Sequence, residues 1–309
     1  MTARAGVVSD LADPLGLPGI SYVEVASVSE EEWEQRERDA VITAIREIER
    51  PCAVGIAAHT RHPQVLEDVA VLARTFGLRL LVDLDRHSPA ALDEAGVLGP
   101  LCHVACARPL DPGERKLLRL RKTVVALCPW GPSPMGDVLA LLDEGNIVAL
   151  GTREPGPRTT GPRTTDARSA DARTAGAGTT DPRSADPRTA GAGSPSGADG
   201  SGGPPAGLGG AAGSPLEVAG AIRRHARELG LRPRGLDRKL VEAATLGGAR
   251  ALGMDKGAGR IGSLASGARA DFAVFDARGR YPYAALLAQP PCLGTVVGGV
   301  ITPASPGES

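Results

Sequence analysis

The chain has 309 residues, 35 of them basic and 36 acidic, for a formal net charge of −1. That balance leaves no basic footprint for nucleic acid or an anionic membrane, so neither is an expected partner. No stretch approaches the roughly 18 apolar residues of a spanning helix, and the opening MTARAGVVSDLADPLG lacks an export-type apolar run, so a cytoplasmic protein is expected.

Between Gly19 and Gly151, short apolar runs bounded by glycine or proline alternate with amphipathic stretches at a step of about 20–30 residues, the spacing of βα units. Strands are expected at Ile20–Ala26, Cys52–Ala58, Leu78–Leu84, Cys102–Ala107, Thr123–Leu127 and Ile147–Leu150. Helical periodicity fills 30–49, 64–76, 88–97, 112–120 and 135–144. The first of these opens on Ser29 as N-cap, continues through an acidic turn (Glu30, Glu31, Glu32) and closes on Arg50. Continuous apolar strands, each followed by a helix, imply a parallel sheet covered by helices. A (β/α)₈-type barrel and a doubly wound sheet both satisfy this pattern, and no glycine-rich phosphate loop favours the second.

Residues 154–213 have a different composition. TTDARSADARTAGAG at 164–178 is followed by TTDPRSADPRTAGAG at 179–193, a tandem repeat with two Ala-to-Pro changes and no aromatic residue. Such a segment buries too little apolar surface to offset ordering entropy, and disorder is expected.

Beyond it, PLEVAGAIRRHARELG reads as a helix with Val218, Ile222 and Leu229 on one side. A second helix is expected over Leu236–Leu252, with Gly253 as C-cap. Gly257, Gly259, Gly262 and Gly267 then punctuate a turn-rich segment before a half-buried strand at Asp271–Asp276, and TVVGGVI at Thr295–Ile301 reads as a last strand. Cys52, Cys102, Cys106, Cys128 and Cys292 are odd in number, lack framework spacing and sit among apolar neighbours, as reduced core cysteines do. His62, His87 and His103 read as solvated histidines near strand ends, and His225 as one on the polar face of a helix.

VEAATLGGARALGMDKGAGRIGSLASGARADFAVFD at 241–276 resembles the closing signature of the amidohydrolase superfamily. Upstream, GISYVEV, VGIAAHTRHPQVL, FGLRLLVDLDRH, EAGVLGPLCHVACARPLDPGE, VALCPWGPSPMG and LLDEGNIVALGTRE look like barrel strands three to eight of its deaminase and chlorohydrolase-like branch. The resemblance implies an α/β chain with an incomplete TIM-type (β/α) barrel over 1–153 and 214–265. It also implies a remnant of a small β-sandwich at 266–302, while the low-complexity insertion at 154–213 and a tail at 303–309 are expected to be disordered.

The same resemblance implies metal-dependent hydrolysis of C–N bonds, in which zinc or iron at the carboxyl ends of the strands activates a water molecule. Lone pairs from neutral imidazole or carboxylate must hold the ion while it lowers the pKa of its water towards ~7. The family supplies a His-x-His on strand one, a histidine each on strands five and six, and an aspartate on strand eight. No His-x-His precedes Gly19 in this sequence. Asp83 and Arg86 occupy the positions of the strand-five histidine and its proton-shuttling glutamate, Cys106 that of the strand-six histidine, and Arg153 that of the aspartate. A guanidinium has no lone pair to donate and repels a dication. His59, in GIAAHTRHP, matches a histidine that contacts substrate in the family.

No catalytic residue and no cofactor are therefore expected, with zinc or iron required if activity is retained. His59, Asp83 and Cys106 form an alternative zinc trio of competent ligand types. Three readings remain open: a degenerate amidohydrolase, a C–N hydrolase with a rebuilt or partner-completed site, and a non-catalytic binding or regulatory scaffold. Six strands leave two open edges, so a homo-oligomer or a partner chain covering them is expected.

Overall fold

The computed structural model describes residues 19–47, 53–127, 135–151 and 214–303. Six strands, β1 (Ile20–Val25), β2 (Ala53–Ala58), β3 (Arg79–Asp83), β4 (Cys102–Cys106), β5 (Val124–Leu127) and β6 (Ile147–Leu150), pair in parallel in their sequence order. The helices between them are α1 (30–47, with a π-turn over Trp33–Glu37), α2 (Pro63–Phe76), α3 (Pro89–Glu94), α4 (Pro112–Leu120) and α5 (Met135–Asp143). This is the strand–helix alternation of part of a TIM-type barrel.

Local chemistry sets the helix ends. Ser29, Ser88 and Asp111 accept a backbone N–H from the first turn of α1, α3 and α4 respectively, and Asp111 forms a reciprocal capping box with Glu114. Gly77 closes α2 with a left-handed backbone (φ 65°), a conformation that only glycine adopts without a steric penalty.

Successive side chains along each strand point to opposite sides of the sheet. One side carries Val23, Val25, Ile56, Leu80, Val82, Val104, Val125 and Leu127 into the main core, where they meet Trp33, Leu66, Val69, Leu92 and Leu118 from the helices. Burying each such side chain stabilises the fold by about 1.5–3 kcal/mol relative to exposure. The other side carries Val124, Ala126, Ile147 and Ala149, which pack with Ala251.

Ala251 belongs to the carboxy-terminal helical segment. Helix α6 (Pro215–Glu228), capped by a Ser214–Glu217 box, is followed by α7 (236–251), which contains a π-turn at Ala243–Gly247. A Cβ on Gly247 would collide with the Val148 carbonyl oxygen, so glycine lets the helix lie against the β6 backbone. Arg79, at the start of β3, fixes the end of α7. Its Nε donates to the Ala251 carbonyl at 2.9 Å and its Nη2 to that of Arg250 at 2.8 Å, while its Nη1 donates to Pro100 at 2.6 Å. Helix carbonyls that would otherwise be orphaned thus receive charged donors.

A separate antiparallel sheet joins β7 (Phe272–Phe275), β8 (Cys292–Val297) and β9 (Val300–Pro303), with the short helix α8 (Pro282–Leu286) between its first two strands.

Several expectations need correction. Thr295–Ile301 is no single strand but the middle of the β8–β9 hairpin, turning at Gly298 and Gly299 with φ 57° and 84°, as a primed two-residue turn requires. β7 is more exposed than half-buried: Phe272, Ala273 and Val274 all face solvent. Leu229 lies beyond the end of α6 and is exposed, while Val218 and Ile222 are buried. His103 is a buried strand residue, 7% exposed, with its ring 5.7 Å edge-on from that of Tyr22. Of the cysteines, Cys102 and Cys106 are buried thiols and Cys292 is half-buried; Cys52 and Cys128 lie outside the described residues. So do Arg50, the repeat at 154–213 and the tail from 304.

Candidate functional site

In a parallel βα arrangement, chemistry gathers beyond the carboxyl ends of the strands. There the loops after β1, β2 and β3 are tied together by side chains. Glu37 reaches back from α1, accepting the Ala26 N–H at 3.0 Å, the Ser27 N–H at 2.9 Å and the Ser27 hydroxyl. The Thr60 hydroxyl donates to the Ser27 carbonyl at 2.7 Å. His87 Nε2 donates to the Thr60 carbonyl at 2.9 Å, and burial lowers the pKa of its imidazole below the ordinary value. Sequence reading missed Glu37 and Thr60, because these contacts join residues 10 and 33 positions apart.

His59 follows β2, half-buried, with its N–H on the Val25 carbonyl at 2.8 Å. Its own carbonyl accepts from Arg86 Nη1 at 3.2 Å. Arg86 Nε also lies 3.9 Å from Asp83 Oδ2, and Asp83 Oδ1 accepts the Asp85 N–H at 2.8 Å. His59, Asp83 and Arg86 are therefore neighbours. A cation placed on Asp83 would meet the fixed positive charge of Arg86.

Cys106 is not brought to this group. Asp83 pairs in register with Ala105, so Cys106, one residue later, faces the opposite side of the sheet. It is 3% exposed within the helix-covered core, and its thiol donates to the Arg108 carbonyl at 3.1 Å. Burial pushes its pKa up to about 11. The trio His59, Asp83 and Cys106 is thus not assembled. Among the described residues, no group of three or more His, Cys, Asp or Glu is placed to hold a metal ion. The strand-end residues described do not fit the metal that the fold implies. Arg153 lies outside the described residues.

Comparison with known proteins places this geometry in context. The family model for the amidohydrolase family matches residues 37–302. The chain belongs to the amidohydrolase family. Among solved structures it is similar to a zinc-bound adenosine deaminase from Xanthomonas campestris, at 16% identity and a TM-score of 0.63, covering 97% of this chain and 64% of that one. It is also similar to the zinc complex of atrazine chlorohydrolase from Arthrobacter aurescens TC1, at 17% identity, a TM-score of 0.58 and 94% and 62% coverage. A third is an amidohydrolase from an environmental sample of the Sargasso Sea, at 18% identity, a TM-score of 0.59 and 95% and 62% coverage. The chain spans less than two thirds of the length of each. Likeness at this identity establishes the fold. A search of curated proteins finds no match. No helix among the described residues is long and apolar enough to cross a membrane.

Proposed function

We propose that this chain is a degenerate member of the amidohydrolase family, retaining the fold while its metal-dependent C–N hydrolysis is impaired. The observation that carries this reading is the separation of Asp83 from Cys106 by the sheet itself, with Cys106 buried as a hydrogen-bonded thiol. Arg86 beside Asp83 and the arginine at position 153 in the sequence support it, since each puts a fixed cation where the family uses a proton-carrying carboxylate. His59 stays half-buried beside them and is assigned contact with any small molecule that still enters the strand ends. The buried reduced thiols Cys102 and Cys106 are in keeping with a cytoplasmic setting.

If hydrolysis survives, zinc or iron would be required, as in the zinc-bound deaminase and chlorohydrolase the fold resembles. The deciding experiment pairs metal quantification with an ammonia-release screen over purines, pyrimidines and aminated nucleosides, comparing the unaltered chain with an Asp83→Ala/Cys106→Ala variant. Release that the double variant abolishes would favour a working site over a degenerate one.

A scaffold role is the second reading, favoured by one observation. Within the described residues β1 and β6 are the two edges of the sheet, and paired backbone is the stable state of such edges. A second copy of the chain or a partner would cover them. Sedimentation showing a strict monomer at all concentrations would count against this reading.

A further inference from the structure

A pocket of about 460 Å³ lies where α6 passes into α7, away from the strand ends. Arg223, Arg227, Arg232 and Asp237 line it, so three arginines share its wall with one aspartate. The surrounding stretch is unlike the rest of the chain: residues 223–239 hold seven basic side chains and two acidic ones, in a protein whose formal net charge is −1 overall.

Arg223 is only 9% exposed, and Asp237 fixes it through Nε at 2.7 Å and Nη2 at 3.2 Å. Its Nη1 has no acceptor among the described residues. Arg227 and Arg232 have no acidic partner there either. A cation near the end of α6 is favoured by the helix dipole, which accounts for Arg227. It does not account for Arg232, beyond the Gly230 turn, or for a buried guanidinium held rigidly beside them.

We propose that this pocket binds an organic phosphomonoester. Its dianion, with a charge of about −1.5 to −2 at neutral pH, matches the two positive charges left once Asp237 is set against the three arginines. Planar guanidinium groups suit phosphoryl oxygens, and the pair with Asp237 fixes the Arg223 guanidinium in place. Leu231, Pro233 and Leu236 supply apolar wall for the organic part, and the volume lies within the range of roughly 300–1,000 Å³ usual for small-molecule sites.

Calorimetric titration of the full-length protein with phenyl phosphate tests the proposal. Saturable binding is expected, tighter than for inorganic phosphate and absent for phenol. Arg227→Ala/Arg232→Ala should weaken it about tenfold or more, and Arg227→Lys/Arg232→Lys by less. Arg36→Ala/Arg46→Ala removes the same charge from exposed positions on α1 and should leave it unchanged. The proposal is overturned by absence of saturable binding up to ~10 mM, by equal loss in the α1 variant, by inorganic phosphate binding as tightly, or by an oligonucleotide displacing phenyl phosphate at lower concentration.

Discussion

Arg79 and Ala251 are 172 positions apart in the chain, yet the guanidinium Nε of the first donates to the carbonyl of the second at 2.9 Å. The contact joins the first residue of β3 to the last residue of α7, and with it the family's closing signature to the sheet. Arg79→Met would leave the Arg250 and Ala251 carbonyls without their charged donors and should lower stability by roughly 2–4 kcal/mol in urea unfolding. Arg79→Lys should recover only part, because one ammonium cannot reproduce the fork onto three carbonyls. A loss below about 0.5 kcal/mol for Arg79→Met would show that the contact contributes little.

Gly247 and Gly248 are adjacent, both with helical backbone, and separate two effects of glycine. Gly247→Ala drives a methyl into the Val148 carbonyl and should cost about 1–3 kcal/mol by overpacking, despite the better helix propensity of alanine. Gly248→Ala meets nothing within 4 Å and should be neutral or stabilising by up to ~1 kcal/mol. Thermal melts of the two variants should therefore shift in opposite directions, or one should not shift at all; equal destabilisation would contradict the close approach to β6.

His103 sets a pH dependence. Burial, aided by the nearby Arg79 charge, lowers its pKa from 6.5 to about 4. The unfolded chain then binds a proton that the folded chain refuses, so this contribution to stability is complete above pH 6.5. It is lost as pH falls towards 4, by up to about 3 kcal/mol. His103→Leu should flatten the stability profile across that window. A profile as steep as that of the unaltered chain would place the origin elsewhere.

Cys102 and Cys106 should resist alkylation in the folded chain at pH 8, since burial pushes their thiols up to about 12 and about 11. Mass spectrometry after brief iodoacetamide treatment should find their peptides unmodified, and modified once the chain is unfolded in urea. Rapid labelling of Cys106 under native conditions would restore it as a candidate ligand.

The fold was legible in the sequence because its signals are local. Each of the six strands was expected within a residue or two of its observed ends, since continuous apolar runs bounded by Gly, Pro and capping residues specify buried parallel strands. The Gly298-Gly299 pair of the β8–β9 hairpin is a turn signal, but the apolar residues on both sides read as one run and mask it. The candidate site was only partly legible. The sequence places His59, Asp83 and Cys106 at strand ends, but which side of the sheet each residue takes depends on interstrand register. The pairing of Asp83 with Ala105 rather than with Cys106 is a tertiary fact that spacing along the chain does not contain.

The most direct test of a retained fold without the family metal is metal content, measured on untagged protein after equilibration with excess zinc and removal of unbound ion. Less than about a tenth of an equivalent of zinc or iron is predicted. Close to one equivalent, lost in Asp83→Ala/Cys106→Ala together with ammonia release, would contradict the account.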